Sequence, residues 1–288
     1  MRIEMDNLEV IIPAYNEADN IVELIRGIRQ ALGNNCRVIV VDDASKDDTA
    51  QLAKANGAEI ISHPYRIGNG ACIKSGLRNA RSDTVLLMDA DLQHLPSDIP
   101  RLLAKIDRFD MVIGARDFHR LSGRNLANRF YNCFASYVTQ FRIQDLTCGF
   151  RLVKRKVALK FLYLLPNSFS YPTTLTLAFL KTGRPICYVP VSSPSRLRGK
   201  SKINPVKDGA RFILIIARIA TFFSPLRVFL PIAASFFILG LLYYSYIYFR
   251  FHRLTNMVVL LFTTSVIVFM LGLISEQISQ LRMDRTEE

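Results

Sequence analysis

Two long apolar stretches near the C-terminus constrain the fold of this 288-residue chain more than any other feature. The first runs from about Val228 to Phe249 and the second from about Leu254 to Ile274, and neither contains a charged residue. At about 1.5 Å per residue, a helix of either length crosses a hydrocarbon core of ~30 Å. The linker from Arg250 to Arg253 is short, so we predict an antiparallel hairpin of two transmembrane helices. Two consecutive charge-free stretches argue against the alternative, a pair of core helices in a soluble domain.

The charge of the chain points to an anionic partner or surface. Half of the residues are hydrophobic, yet the formal net charge is +13. These properties conflict in an ordinary soluble protein, but they agree in a chain whose basic residues meet an anionic substrate or a membrane surface. Nucleic acid is the other partner of a basic chain, and we expect none because no nucleic-acid-binding motif is recognisable. The five cysteines form no C-x-x-C pair, which predicts neither a zinc site nor a disulfide framework.

The segment before the first apolar stretch is strongly basic. From 206 to 223, basic and apolar residues alternate at helical spacing. This pattern predicts a helix over 206–227 that lies in the membrane interface, or else an amphipathic helix that packs on the globular domain. We therefore divide the chain into a globular domain (1–205), an interfacial helix (206–227) and a transmembrane hairpin with a cytoplasmic tail (228–288). The N-terminus lacks a signal-peptide pattern, so we expect the globular domain in the cytoplasm.

The globular domain alternates strand and helix patterns. Apolar runs predict strands at 8–12, 37–41, 59–62, 84–88 and 111–114, and helical spacing predicts helices at 21–32, 49–56 and 71–80. Such continuous apolar strands separated by helices are typical of an α/β domain with a mostly parallel sheet covered on both faces. We interpret Gly68-Asn69-Gly70 as a tight turn before the third helix rather than as a binding motif. The histidines show no ligand spacing, so we expect His63 at the surface or in a loop.

Carboxylates follow three of the predicted strands, and they are Glu17, Asp42, Asp43, Asp89 and Asp91. The carboxyl ends of parallel strands meet at one edge of a sheet, where ligands bind. The sequence therefore predicts five carboxylates on one rim. Helix capping is the alternative for single residues such as Asp43 or Asp47.

The Asp89-Ala90-Asp91 turn, with Gln93 beside it, has the character of a cation site. Hard oxygen ligands of this kind suit Mg²⁺ or Mn²⁺, which usually also take ligands from substrate phosphates. The expected guest is a nucleoside diphosphate, whose charge the metal neutralises as it leaves.

Four segments of the globular domain carry recognisable motifs: Val10-Ile-Ile-Pro-Ala-Tyr-Asn-Glu17, Val40-Val-Asp-Asp-Ala-Ser45, Asp89-Ala-Asp-Leu-Gln93 and Asp145-Leu-Thr-Cys-Gly-Phe-Arg151. In this order they resemble the family 2 inverting glycosyltransferases over about residues 8–205, which implies the GT-A nucleotide-sugar-binding fold. Within that family the chain looks most like the dolichyl- and undecaprenyl-phosphate sugar synthases. Their R-x-x-G-x-S-K element resembles the segment from Arg196 to Lys202, and their bacterial multi-span members end in a similar hairpin.

The resemblance implies roles for most of the polar residues on the rim. The implied nucleotide-sugar-binding residues are Pro13, Tyr15, Glu17, Asp89, Ala90 and, at the base, Asp42 or Asp43. Arg196 and Lys202 are implied to close over the donor diphosphate from a mobile loop, and Arg116 and Arg129 to bind acceptor or donor phosphate. The implied metal-site residues are Asp89, Asp91 and Gln93.

The expected reaction is displacement at the anomeric carbon of the sugar by a lipid phosphate oxygen. We assign catalysis to Asp91, Asp145, Arg116 and Arg129. Asp145 is the natural general base, although an acceptor that is already an anion hardly needs one. Orienting an arginine, or capping the turn before Gly149, is the equally weighted alternative for Asp145.

The sequence is also compatible with other functions. A hydroxyl acceptor on a lipid or glycan is one, and a non-catalytic membrane scaffold is another. A processive polysaccharide synthase fits poorly, because such enzymes carry a Q-x-x-R-W element and this chain has no tryptophan. We expect the bacterial inner membrane as the location and polyisoprenyl phosphate as the acceptor. The sugar, its UDP or GDP carrier and homo-oligomerisation are left undetermined.

Overall fold

A computed structural model describes residues 7–116, 129, 132, 133, 135–137, 139–167, 171–192, 221 and 224–287. Contacts divide the chain into two compact units. One comprises 1–136 and 141–202, and the other comprises 137–140 and 203–288.

The first unit is an α/β domain in which seven strands alternate with helices. Its strands are β1 (Leu8–Ala14), β2 (Arg37–Asp42), β3 (Glu59–Ser62), β4 (Thr84–Leu87), β5 (Met111–Arg116), β6 (Arg151–Lys154) and β7 (Ile186–Val191). Its helices are α1 (Ala18–Leu32), α2 (Thr49–Ala55), α3 (Asn69–Asn79), α4 (Ile99–Leu103, after a short 3₁₀ turn at Pro96–Asp98), α5 (Arg155–Lys160) and α6 (Tyr171–Lys181).

The seven strands form one mixed sheet in the order β3-β2-β1-β4-β6-β5-β7. All neighbours pair in parallel except β6, which runs antiparallel to both β4 and β5. The prediction of a mostly parallel sheet is therefore confirmed. Strands β6 and β7 were not predicted, and β6 has only four residues from which a pattern could be read.

The register of the central strands brings their carboxyl ends together. Ala14 pairs with Asp42, and Ile11 pairs with Leu87, so β1, β2 and β4 end at one edge of the sheet. Strand β1 is buried along its whole length, as expected for an inner parallel strand. Strand β1 also includes Pro13, which has no N–H to donate. Because Pro13 lies beyond the last residue pair with β4, no hydrogen bond to β4 is lost.

Helix α3 packs directly on β1 at Gly76. A Cβ at this position would lie 2.4 Å from Cγ2 of Ile11, so any larger residue would push the helix off the sheet. The start of α3, at Asn69, is thereby fixed close to the carboxyl edge of the sheet.

The second unit contains two long apolar helices, α7 (Pro225–Phe251) and α8 (Asn256–Glu287). Both are long and apolar enough to cross a membrane, and most of their apolar side chains are exposed. Helix α7 ends at His252, whose left-handed backbone (φ 50°) stops the helix. The predicted two-helix hairpin is confirmed.

Polar contacts tie the two helices of this hairpin together. The Ser265 hydroxyl donates to the Ala233 carbonyl at 2.8 Å, and the Leu226 N–H donates to the Glu276 carboxylate at 3.2 Å. The second bond satisfies a backbone donor at the start of α7, where a helix lacks internal acceptors.

The hairpin helices exceed their predicted bounds. Helix α7 begins at Pro225 rather than 228, and α8 continues through the predicted tail to Glu287. The tail is rich in good helix formers such as Gln, Leu and Arg, so the helix need not stop where the apolar run ends. The predicted interfacial helix at 206–227 lies outside the described residues, apart from Thr221 and 224–227.

Candidate active site

The loops that follow β1 and β2 are bonded to each other at the carboxyl edge of the sheet. The Asp43 N–H donates to the Ala14 carbonyl at 2.9 Å, and the Asn16 N–H donates to the Ser45 hydroxyl at 2.9 Å. The Lys46 N–H returns a bond to the Asn16 side chain at 2.8 Å. These bonds fix the two acidic segments side by side on the rim.

Asp43 anchors the loop that leads into α3. Its carboxylate accepts hydrogen bonds from the N–H groups of Ile67 (2.9 Å) and Gly68 (2.8 Å) and contacts Nδ1 of His63 at 2.9 Å. Burial alone would raise the pKa of Asp43, but these bonds outweigh it and hold the pKa below its ordinary value. Its neighbour Asp42 is also buried and accepts from the Ser45 N–H at 3.3 Å.

His63 lies in the loop that follows β3, one of its two expected positions, and its side chain is largely buried there. The imidazole is 8% exposed and joins Asp43 to the Ser75 hydroxyl, which lies 2.9 Å from Nε2. Asp43, His63 and Cys72 each contribute one possible metal-ligand atom, and these three atoms lie within 4.8 Å of one another. We interpret the group as a hydrogen-bonded network, because both imidazole nitrogens already have partners and burial raises the pKa of the Cys72 thiol to about 12.

Asp89 and Asp91 lie in the turn that follows β4. Burial and the charge of Asp91 raise the pKa of Asp89 to about 6. The backbone at Gly149 approaches so closely that a Cβ there would lie 2.2 Å from Oδ2 of Asp89. On the other side, the Asn69 amide is 3.5 Å from Oδ1 of Asp89. The turn is thus enclosed between the start of α3 and the segment before β6.

Arg116, the last residue of β5, forms a two-pronged ion pair with Asp145. Nε lies 2.7 Å from Oδ2 and Nη2 lies 3.0 Å from Oδ1, and Nη2 also donates to the Thr147 hydroxyl at 2.8 Å. Burial would lower the pKa of Arg116, but the Asp145 carboxylate more than compensates and raises it. Asp145 also accepts from the Thr147 N–H at 3.2 Å, so its carboxylate makes both the arginine contact and the turn contact that were considered as the alternative to a base.

A second arginine lies beneath the rim. The guanidinium of Arg151 is fully buried and donates to the carbonyls of Cys148 and Pro172 and to the Thr176 hydroxyl. It contributes a positive charge that opposes the rise in the pKa of Asp89. Arg151 therefore stabilises the Cys148–Phe150 turn and adds to the field at the acidic pair.

His94 follows the turn that contains Asp89 and Asp91, and it packs against the segment before β6. Its ring stacks on Phe150, with centroids 5.2 Å apart, and Nε2 is 3.6 Å from the Cys148 thiol. Burial, followed by the nearby Arg116 charge, lowers the pKa of His94 to about 4, so the ring is neutral at pH 7.

The remaining predicted site residues differ in their burial and contacts. Pro13 and Ala90 are buried, whereas Tyr15 is partly exposed and carries the Arg66 guanidinium 4.1 Å above its ring. The Glu17 N–H donates to the Thr49 hydroxyl at 2.8 Å, and the Gln93 N–H donates to the Asp91 carboxylate at 3.2 Å. Arg129 is exposed. Arg196 and Lys202 lie outside the described residues.

Several residues that shape the rim could not be assigned a role from the sequence, namely His63, Arg66, Asn69, Asn132 and Arg151. Each of them acts on a residue far away in the chain, so no local spacing could have identified the contact. Arg151 did have a signal, because it ends the motif that begins at Asp145.

The residues of the turn after β4 fit a divalent cation. Asp89 and Asp91 supply hard carboxylate oxygens, and the charge of Asp91 raises the cost of ionising Asp89 unless a cation lies between them. The Asn69 side-chain oxygen is buried beside Asp89, and no partner for it occurs in the described part of the chain. The chemistry of this donor set therefore suits Mg²⁺ or Mn²⁺ better than the mixed nitrogen and sulfur group at His63.

Two family models match this chain. Residues 9–162 match "Glycosyl transferase family 2", and residues 224–281 match "GtrB C-terminal hairpin". The first match covers the rim from β1 to β6, and the second covers nearly all of α7 and α8.

Curated relatives include the undecaprenyl-phosphate 4-deoxy-4-formamido-L-arabinose transferases of Pseudomonas fluorescens (strain Pf0-1) and Pseudomonas paraeruginosa (strain DSM 24068 / PA7). The chain is 29% identical to the first over 69% of its own length and 61% of the relative. It is 31% identical to the second over 70% of its own length and 62% of the relative. The chain thus spans less than two thirds of the length of both relatives.

Solved structures with a similar fold include glucosyl-3-phosphoglycerate synthase from Mycobacterium tuberculosis in complex with Mn²⁺, UDP-glucose and phosphoglyceric acid. That structure matches with a TM-score of 0.60 and 21% identity, covering 75% of this chain and 82% of its own. The likeness confirms the predicted GT-A fold.

Proposed function

We propose that this chain, which belongs to glycosyl transferase family 2, transfers a sugar from a nucleotide sugar to a polyisoprenyl phosphate with inversion. The names of the relatives support a lipid-phosphate acceptor. The observation that carries the proposal is the Arg116–Asp145 pair at the end of β5. It places an oriented guanidinium on the same rim as Asp89 and Asp91, and a planar guanidinium matches phosphate oxygens.

The engagement of Asp145 favours a phosphate acceptor over a hydroxyl. A sugar or lipid hydroxyl must lose a proton as it attacks, whereas a phosphate oxygen is already negative. Asp145 is 1% exposed and accepts bonds from Arg116 with both oxygens, so it is poorly placed to take a proton from a substrate. In the proposed reaction the phosphate oxygen forms the new bond to the anomeric carbon. The bond to the nucleoside diphosphate breaks, and the diphosphate leaves with the electron pair.

The donor binds where the loops after β1 and β2 meet. Pro13, Tyr15 and Glu17 line the nucleotide site, and Asp42 contacts the base, because Asp43 is committed to the loop before α3. Arg196 and Lys202 close over the diphosphate, and Ala90 lies against the donor.

Asp89, Asp91 and Gln93 would hold the Mg²⁺ or Mn²⁺ ion. When bound, the ion neutralises charge on the departing diphosphate. Gly149 and Asn69 keep the Asp89 carboxylate in place from opposite sides, and Arg151 adds positive charge beneath it.

The proposal also covers location. Helices α7 and α8 cross the bacterial inner membrane as a hairpin, and the domain at 1–205 works at the cytoplasmic face. The segment at 206–227 lies along the interface, where basic residues meet anionic lipid. This placement delivers a lipid phosphate at the depth of the headgroups.

The test is a screen of radiolabelled UDP- and GDP-sugars against membranes that contain this chain and added polyisoprenyl phosphate. We expect one donor to give a labelled lipid that requires divalent metal. An Asp91→Asn variant, which removes a charged metal ligand from the rim rather than a core residue, should give none. Labelled lipid at near wild-type rates from Asp91→Asn at limiting Mn²⁺ would overturn the metal assignment. No labelled product from any donor would favour a non-catalytic scaffold.

A further inference from the structure

We propose that Asn132 is a positioning residue that holds Asp145, and through it Arg116, in the geometry needed for the acceptor phosphate; this inference rests on the function proposed above. The Asn132 amide makes two hydrogen bonds to the main chain on either side of Asp145. Nδ2 donates to the Gln144 carbonyl at 2.6 Å, and Oδ1 accepts from the Leu146 N–H at 3.0 Å.

These two bonds fix the backbone at Asp145 in the way that a neighbouring strand would. A side-chain amide has one donor group and one acceptor, which match the carbonyl and N–H that flank a residue in an extended chain. Gln144, Asp145 and Leu146 belong to no strand of the sheet, so they lack a ladder to hold them. Asn132 supplies the missing bonds, and it is itself buried.

The position of the Asp145 backbone determines where the guanidinium of Arg116 lies. Both carboxylate oxygens of Asp145 bond to this guanidinium at 2.7 and 3.0 Å, so a shift of the backbone moves the arginine. Because Asp145 is almost fully buried, it has no room to recover the pair from another position.

Asn132 also lies three residues after Arg129, the second arginine expected to bind acceptor or donor phosphate. Asn132 is helical, and Ser136 joins it to the segment before Asp145: the Ser136 hydroxyl donates to the Asn132 carbonyl at 2.6 Å and accepts from the Ile143 N–H at 2.9 Å. Asn132 thus connects the segment around Asp145 to the part of the chain that carries Arg129. Its loss should therefore weaken binding of the acceptor phosphate more than binding of the donor.

The test compares Asn132→Ala with Ser136→Ala in full-length protein, with both substrates varied. Ser136→Ala is the matched control. It removes the bonds to the Asn132 carbonyl and the Ile143 N–H, but it leaves both bonds from the Asn132 side chain to the main chain beside Asp145. We expect Asn132→Ala to raise the KM for polyisoprenyl phosphate about tenfold or more and to leave the dissociation constant of the nucleotide sugar within about twofold. Equal effects of the two variants on both substrates would overturn the inference. If Asn132→Ala does not fold, Asn132→Asp carries the same expectation, since it keeps the acceptor for Leu146 and loses the donor to Gln144.

A double-mutant cycle separates positioning from simple loss of structure. If Asn132 acts through Arg116, then Asn132→Ala should change the KM by less than about twofold in an Arg116→Ala background. Additive effects would contradict the inference. The same cycle in thermal unfolding does not depend on the acceptor. A wild-type enzyme that does not use polyisoprenyl phosphate would therefore contradict the proposed function. The coupling free energy between Asn132 and Arg116 in unfolding would still test this inference, and additive effects on unfolding would contradict it.

Discussion

The sequence makes Asp145 a candidate general base, whereas in the structure its carboxylate is paired with Arg116. Its two oxygens bond to Arg116, and its backbone is held by Asn132. Breaking a buried ion pair on one side leaves the other charge uncompensated, so the pair is expected to matter for stability as well as for binding.

We predict that Asp145→Asn raises the KM for the lipid phosphate about tenfold or more, because charge-assisted bonds worth about 1.5–3 kcal/mol each are lost from Arg116. The pH dependence of kcat should keep the shape of the wild-type profile. Steady-state kinetics across a pH series measures both. An acidic limb, on which kcat falls as the pH drops, that is present in the wild type and absent from Asp145→Asn would identify Asp145 as the general base instead.

The absence of a side chain at Gly149 makes room for the Asp89 carboxylate in the turn after β4. We predict that Gly149→Ala displaces the Asp89 carboxylate, since the new Cβ would lie 2.2 Å from Oδ2. The Mn²⁺ concentration that gives half-maximal activity should rise, while the fold survives.

Gly183→Ala is the control for that experiment. Gly183 has a positive φ of 68° with nothing within 4 Å of a new Cβ, so its substitution strains the backbone without touching the site. We expect a lower melting temperature for Gly183→Ala and an unchanged Mn²⁺ requirement. A Gly149→Ala enzyme with wild-type metal dependence would argue against Asp89 as a ligand.

At the scale of elements, the loop between β3 and α3 depends on one buried carboxylate. The Ile67 and Gly68 N–H groups and the His63 ring all bond to Asp43. The start of α3, which contacts Asp89 through Asn69, is therefore positioned from the end of β2.

We predict that Asp43→Asn destabilises the domain at pH 7 by about 1–3 kcal/mol, the range for an impaired buried hydrogen-bonding group. The folded pKa of Asp43 is depressed below its ordinary value of 3.8, so the folded state holds this proton less tightly than the unfolded chain. Its stabilisation is therefore complete above pH 3.8 and is lost as the pH falls through the folded pKa. Unfolding of wild type and variant should converge in acid. An equal gap between them at pH 7 and below the folded pKa would contradict this account.

The central strands could be predicted from the sequence because they are buried on both faces and read as continuous apolar runs. Their acidic ends could be placed on one rim because parallel strands share an edge. Strand β6 could not be predicted, since its four residues include Arg151, a charge that is buried by partners distant in sequence. The same limit applies to His63 and Asn132, whose partners Asp43 and Gln144 lie 20 and 12 residues away.

At the scale of the whole molecule, one chain contains an α/β domain and a hairpin of two long apolar helices. Helices α7 and α8 expose large apolar side chains such as Leu242, Val266 and Ile267. Exposed apolar surface of this extent calls for lipid or protein cover.

We predict that the hairpin turn lies outside the cell and the end of α8 inside. A cysteine introduced as His252→Cys should react with an impermeant maleimide on intact cells, whereas Thr286→Cys should react only after permeabilisation. The background must lack Cys133, which is exposed. Labelling of His252→Cys only after permeabilisation would mean that the hairpin does not cross the membrane.

The most direct test of the central claim compares two acceptors that differ by one group. The purified enzyme, Mn²⁺ and its radiolabelled donor are supplied with a polyisoprenyl phosphate or with the polyisoprenol of the same length. We predict labelled lipid from the phosphate alone, and a KM for that phosphate that rises in Arg129→Ala while donor affinity stays unchanged. A polyisoprenol or a sugar hydroxyl that accepts the label as well as the phosphate does, or better, would contradict the account.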